Sequence, residues 1–123
     1  MTANAARPNP QGSFHYGMIN VSELVIVQGS GGLVNANKRR FSANGISFVN
    51  PDTPLKLADH FKIDGVYTLD FPRSTSGAVG GALSLGTSVL SVGFRGFMEL
   101  VFQNNEDIVQ SWHIDGYTAF VVG

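Results

Sequence analysis

The sequence predicts an all-β domain, a Greek-key barrel or two-sheet sandwich with one short helix, and three observations predict it. Val, Ile and Phe recur in short runs, several of which alternate apolar and polar residues. Fifteen glycines, with many Ser, Asn and Thr, separate those runs. The turn signals come roughly every 8–12 residues, which sets out about seven to nine short strands.

Each element has its own local reason. Residues 1–17 are polar, contain two prolines and read as an extended arm or interdomain linker. The domain proper is expected over 18–123. Met18 to Gln28 is β-branched and partly alternating, a first strand that Gly29-Ser30-Gly31-Gly32 is expected to end. Arg39 to Ser42 and Ile46 to Val49 form two strands around Asn44-Gly45, a dipeptide that tolerates the positive φ of a tight hairpin. Thr53 is placed as an N-cap and Pro54 at the first helical position, opening a helix of one or two turns over Leu55 to Phe61. So short a helix must dock on a sheet. Gly65 to Phe71 is a weak strand, Pro72 to Gly81 a loop, and Ala82 to Val92 contains an alternating run.

Phe94 to Gln103 is the clearest strand, with Met98, Leu100 and Phe102 on one face. Burial of Phe94, Met98, Leu100 and Phe102 is expected to favour folding by roughly 1.5–3 kcal/mol per side chain. Asn104 to Asp107 turns the chain, and Ile108 to Ile114 with Tyr117 to Val122 is the last predicted strand pair. The run stops in or just after a strand, so the expected domain is incomplete at its C-terminus. Its unpaired edges favour self-association.

Composition narrows the functions. The 123 residues carry 8 Lys+Arg against 9 Asp+Glu, a formal net charge of −1. That balance lacks the basic stripe of an electrostatic nucleic-acid binder. Without cysteine there is no thiol catalysis, no disulfide, and no zinc-finger or thiolate-copper site within this chain. Only 14% of residues are charged, against roughly 25% in an ordinary soluble domain. No stretch is apolar and long enough to span a bilayer, and Met1 to Pro10 has no signal-peptide core. Asn20-Val21-Ser22 is a glycosylation sequon, meaningful if the chain enters the secretory pathway.

Three histidines carry what chemistry is available. His15 lies in the arm, where packing or a hydrogen bond is the ordinary role. His60, near the end of the short helix, suits a capping or surface role. His113 shares one side of a strand with Ser111 and Asp115, while Trp112 and Ile114 face the other way. A His–Asp pair there suits either a positioned general base or a packed polar pair. No nucleophile accompanies it, and the packed pair is favoured. Gly29 to Gly32 and Gly77 to Gly81 lack the Lys and the strand–helix setting of a phosphate loop and read as flexible connections.

The segment Gln110-Ser111-Trp112-His113-Ile114-Asp115-Gly116-Tyr117, followed by Thr118 to Gly123, resembles the His-Pro-x-His-x-His-Gly-His segment of multicopper oxidases with most ligands replaced. Asn44 to Asp59, Phe102 to Glu106 and Ala6 to Gly17 resemble the plant ascorbate-oxidase-like, monocopper-oxidase-like branch, which includes the skewed-root-growth and pollen-specific proteins. The resemblance implies a cupredoxin (plastocyanin-like) fold, here the end of a second domain and most of a third. It implies that Gln110 stands at a mononuclear copper position and that His113 retains a trinuclear-cluster position. Asp115 and Tyr117 then stand where further histidines are usual. Copper is implied by the family only, and no cofactor is expected from this chain's own residues.

Three functional expectations follow from the resemblance. The first is a fragment of a plant cell-wall or growth-related protein without oxidase activity of its own. The second is a copper-binding oxidoreductase domain of ascorbate-oxidase or laccase type. The third is a truncated gene product with no settled role. The full-length family is extracellular, in the cell wall or anchored at the plasma membrane, and glycosylated. In such a parent this domain would pack against other cupredoxin domains.

Overall fold

A computed structural model describes residues 18–35, 38–74, 82–117, 119 and 121. The arm, with His15, and Gly77 to Gly81 lie outside the described residues. Two compact units divide the chain: Val21–Gln110, and Met1–Asn20 with Ser111–Gly123.

The larger unit holds one five-stranded sheet and one helix. Its elements are β1 (Glu23–Val34), β2 (Lys38–Ala43), β3 (Ile46–Phe48), α1 (Leu55–Phe61), β4 (Ser84–Gly86) and β5 (Met98–Asn104). The strand order is β4-β3-β2-β1-β5, and the sheet is not closed. This mostly β arrangement is consistent with a cupredoxin-like fold. β1 pairs antiparallel with β2 and parallel with β5, and β3 pairs parallel with β4.

β1 runs six residues beyond Gln28, straight through the glycine cluster expected to end it. The tertiary partner overrides the local signal. Gly29 to Val34 take the ladder positions opposite Ala43 to Lys38, with Ser30 facing Ser42 and their hydroxyls 3.0 Å apart. Glycine weakens an isolated strand but is retained where another group approaches the backbone closely. A Cβ on Gly29 would lie 2.5 Å from Gln110 Oε1, and one on Gly31 3.0 Å from an Arg39 guanidinium nitrogen. These glycines are therefore rigid contact positions, not flexible connections.

The β2–β3 hairpin forms as the sequence predicts. Asn44 (φ 50°) and Gly45 (φ 82°) supply the two positive dihedrals of a type I′ turn. Arg40 braces the hairpin, donating to Ser47 Oγ at 2.9 Å and to the Phe48 carbonyl at 2.7 Å. The side chain of Asn44 is buried and turned inward. Its Oδ1 accepts the Gln28 N–H at 2.7 Å, and its Nδ2 donates to the carbonyls of Ile26 (2.8 Å) and Pro72 (2.7 Å). Its own N–H donates to the Gln28 carbonyl at 3.0 Å.

The helix spans Leu55–Phe61 as expected, but its cap differs. Pro54, not Thr53, is the N-cap, and no side chain caps the end. The Pro54 carbonyl accepts the N–H groups of Leu57 and Ala58 instead. Lys62, in the left-handed region, ends the helix, and the Ile63 N–H then returns to the Ala58 carbonyl. Ala58 is the one helical residue that is fully buried.

Three other expectations change. Gly65 to Phe71 contributes a single parallel bridge, Thr68 to Ser88, rather than a strand. Residues 108–114 form no strand, and neither do Tyr117, Ala119 or Val121; the intervening residues of that predicted strand lie outside the described set. Phe94 is 93% exposed in the turn before β5, and Phe102 is also exposed. Gly93 and Gly96 close that turn by a 2.9 Å backbone hydrogen bond, which lifts Phe94 off the sheet. The buried apolar residues are Val25, Val27, Val34 and Ala58, and the polar Gln28, Ser42, Asn44 and Ser47 are buried beside them.

Asn44→Gly keeps the positive φ and deletes only the carboxamide. Two carbonyls and one N–H then lose their partner in a buried setting. We expect a loss of about 2–4 kcal/mol in urea unfolding; a loss below about 0.5 kcal/mol would show that the carboxamide does not hold the turn to β1.

Candidate functional site

The residues singled out from the sequence lie on both units, and each unit is informative by itself. In the larger unit, β5 ends at Asn104, opposite Gly29. Asn104 then shapes the loop: its Oδ1 accepts the Glu106 N–H at 3.0 Å, and its Nδ2 donates to the Ile108 carbonyl at 2.6 Å. This local wrapping carries Glu106 and Gln110 back onto β1. Glu106 Oε1 accepts the Gly31 N–H at 2.8 Å, one step past the end of the β1–β5 ladder. Gln110 Nε2 donates to the Gly29 carbonyl at 3.2 Å. Glu106 Oε2 and Gln110 Oε1 are buried without a hydrogen-bond partner.

In the smaller unit, His113 Nε2 lies 2.7 Å from Asp115 Oδ1. The pairing expected from their two-residue spacing is present. The expected packing is not: the side chains are 81% and 99% exposed. The reason is local. Asp115-Gly116 forms a turn, with Gly116 at φ 76°, so the pair sits at a chain reversal rather than on a buried strand face. Tyr117 is 80% exposed. Asn20 of the sequon is also exposed.

The copper donors implied by the resemblance can be tested on these residues. Copper sites with fast electron transfer use imidazole and thiolate. This chain supplies an amide at Gln110, whose N–H group is committed to the Gly29 carbonyl, and no cysteine. One imidazole at His113, paired with a carboxylate, cannot hold a cluster. Among the described residues, no three His, Cys, Asp or Glu side chains are grouped to hold a metal ion. These residues do not fit a copper centre.

A second feature escaped the sequence reading. A groove of about 650 Å³ lies between the β3–α1 connection, residues 64–70 and β4, with Asp52, Asp64, Asp70 and Tyr67 in its lining. Asp70 Oδ1 accepts from Ser88 Oγ at 2.7 Å and from the Thr68 hydroxyl. Those two hydrogen bonds hold the Asp70 carboxyl below its ordinary value of 3.8. His60, at the helix end, meets Phe61 edge-on, the ring centroids 4.8 Å apart. Beside it Asp59 accepts from Lys62 Nζ at 3.0 Å and from the Tyr67 hydroxyl at 3.3 Å. The Lys62 hydrogen bond and its charge lower the Asp59 pKa, and Asp59 in turn raises that of Lys62. The only advance signal was the Thr68-Leu69-Asp70 spacing, which allows a hydroxyl to reach a carboxylate two residues on.

Comparison with known proteins places these observations. The multicopper oxidase family model matches residues 52–123. The monocopper oxidase-like protein SKU5 of Arabidopsis thaliana is 47% identical over 123 residues, covering 100% of this chain and 20% of that protein. An L-ascorbate oxidase homolog of Brassica napus is 44% identical over 129 residues, covering 99% of this chain and 22% of its own length. Laccase-2 of Oryza sativa subsp. japonica is 32% identical over 102 residues, covering 73% of this chain and 18% of its own length. The chain thus spans about a fifth of the length of these relatives.

Two outcomes are expected. Asp59 and Asp70 have folded-state pKa values below their unfolded ones, so their contribution to stability is present above about pH 4 and is lost as pH falls through the folded values. Chemical denaturation from pH 5 to pH 2 should show that decline, and Asp70→Asn should flatten part of it. An unchanged slope in that variant would remove Asp70 from the account. His113→Ala, at an exposed pair, should move the thermal midpoint by no more than about 2–4 °C. A larger drop would mean that the pair is buried in solution.

Proposed function

The chain belongs to the multicopper oxidase family, and from that premise we propose that it is a cupredoxin-like segment of a plant cell-wall or growth-related protein with no copper-dependent oxidation of its own. One observation carries this reading: the residues at the implied ligand positions do other work. Gln110 binds backbone, His113 and Asp115 bind each other, and Tyr117 stands in solvent. Electron transfer from a phenol or ascorbate to dioxygen needs a metal relay, and this donor set does not build one.

The parent protein is extracellular in this reading, in the cell wall or at the plasma membrane, and Asn20 carries an N-linked glycan. The exposure of Asn20 supports the glycan, since the transferase needs an accessible acceptor. Among the described residues no helix is long and apolar enough to cross a membrane. The 22 large hydrophobic side chains that are exposed among the described residues support a role for the segment as one wall of a larger assembly. The other cupredoxin domains of the parent are the partners, since they are the nearest chain that could cover that surface.

The test is a titration of the purified chain with Cu(II), followed by absorbance and electron paramagnetic resonance, with oxygen uptake on ascorbate and on a phenol. The expected outcome is no intense charge-transfer band, no stoichiometric copper and no uptake above buffer. Stoichiometric binding with turnover would defeat the proposal.

A further inference from the structure

The strip Gly29–Gly31 and the loop that follows β5 meet in a contact that neither a structural glycine cluster nor a metal-ligand position explains. We propose that Gln110 and Glu106 form a two-point clasp on β1, and that Gly29 is the close-fitting receptor for Gln110. The inference deepens the non-catalytic reading, on which its account of position 110 rests: the residue there has become a strut that fixes the loop.

Geometry carries the proposal. Val25, Val27, Gly29 and Gly31 share one face of β1 by strand alternation, and all four are buried. Beyond Val27 the next two positions on that face, Gly29 and Gly31, carry no side chain, and Leu33 after them is exposed. The Gln110 carboxamide fills the gap at Gly29 so closely that a Cβ there would lie 2.5 Å from Oε1, 2.9 Å from Cδ and 3.0 Å from Nε2. All three distances are shorter than carbon tolerates without movement. The same carboxamide is tethered through Nε2 to the Gly29 carbonyl. The Arg39 guanidinium covers the next glycine, Gly31, in the same way, 3.0 Å from where its Cβ would be.

Glu106 acts at right angles to this, in the plane of the sheet. The Gly31 N–H points past the end of β5, and Oε1 accepts it where a strand carbonyl would otherwise stand. The two long side chains therefore replace a strand: one satisfies the ladder and the other fills the face. Asn104 sets the spacing of the two by holding both the Glu106 N–H and the Ile108 carbonyl. A histidine at position 110 would have to displace this arrangement before it could offer a nitrogen to a metal.

A double-mutant cycle on the whole chain tests the clasp. Gly29→Ala alone should lower the thermal midpoint by about 4–8 °C. In a Gln110→Ala background the same change should cost less than about 2 °C, because the new methyl enters the space the carboxamide has left. Additive losses would overturn the proposal. The wild-type chain supplies a measurement that needs no variant: a nuclear Overhauser effect between the Gln110 side-chain amide and the Gly29 Hα protons is expected, and its absence would overturn the clasp. Gln110→His should bind Cu(II) no more tightly than wild type; a gain of stoichiometric copper would show a ligand slot rather than a strut. Copper binding and turnover by the wild-type chain would instead sink the non-catalytic reading, while the cycle and the Overhauser effect would still report on the clasp.

Discussion

The carboxamide of Asn44 is the constraint on which the rest of the larger unit depends. It sits at a turn, yet it is buried, and its hydrogen-bonding groups reach two points of β1 and the carbonyl of Pro72. The oxygen accepts the Gln28 N–H, and the nitrogen donates to the carbonyls of Ile26 and Pro72, so the group holds β1 at two points and the chain at Pro72. β1 is an interior strand between β2 and β5, so whatever holds β1 also joins β5 to the rest of the sheet. A buried amide with its oxygen and both N–H groups satisfied is worth more than its pairwise bonds, because each group left alone would incur its desolvation cost.

The dependence on such polar anchors has a reason in the core. Among the described residues the buried apolar side chains are three valines and one alanine, none of them large. Burial on that scale contributes only a few kcal/mol, by the usual coefficient of roughly 25 cal/mol per Å². Register and orientation are therefore set by directed bonds between side chain and backbone. Arg40 across the hairpin, Arg73 to Glu23 and to the Ser91 carbonyl, and Glu106 to Gly31 all join segments that are distant in sequence or turn tightly. Four of the chain's 17 charged side chains, Glu23, Arg40, Arg73 and Glu106, make these braces.

The same economy shapes the segment that resembles copper-oxidase ligands. An amide and a carboxylate at positions 110 and 115 offer copper poorer donors than imidazole, and both find protein partners. His113 has Asp115 as its neighbour, and the two form a solvent-exposed hydrogen-bonded pair. The groove near β4 is likewise organised inward, with Asp70 held by Thr68 and Ser88.

Sequence by itself determined the elements whose cause is local. The Asn44-Gly45 hairpin follows from two residues that accept positive φ, and the short helix after Pro54 follows from its punctuation, with an error of one residue at the cap. The two-residue separation of His113 and Asp115 was legible, although a turn at Asp115-Gly116 and not strand alternation is where they meet, and the family was legible in the motif around Gln110. Tertiary structure decided what depends on distant partners. Gly29 to Gly32 continue a strand because β2 pairs with them and Gln110 and Arg39 cover Gly29 and Gly31, and no local signal records those approaches. Phe94 is outside because the Gly93–Gly96 turn lifts it, although alternation placed it with the core. Exposure of the His113–Asp115 pair was equally hidden, since spacing tells which side chains meet but not whether water surrounds them. The physical divide is one of range: dihedral preferences and alternation act within a few residues, whereas burial and side-chain-to-backbone bonds join positions some eighty residues apart, such as Gly29 and Gln110.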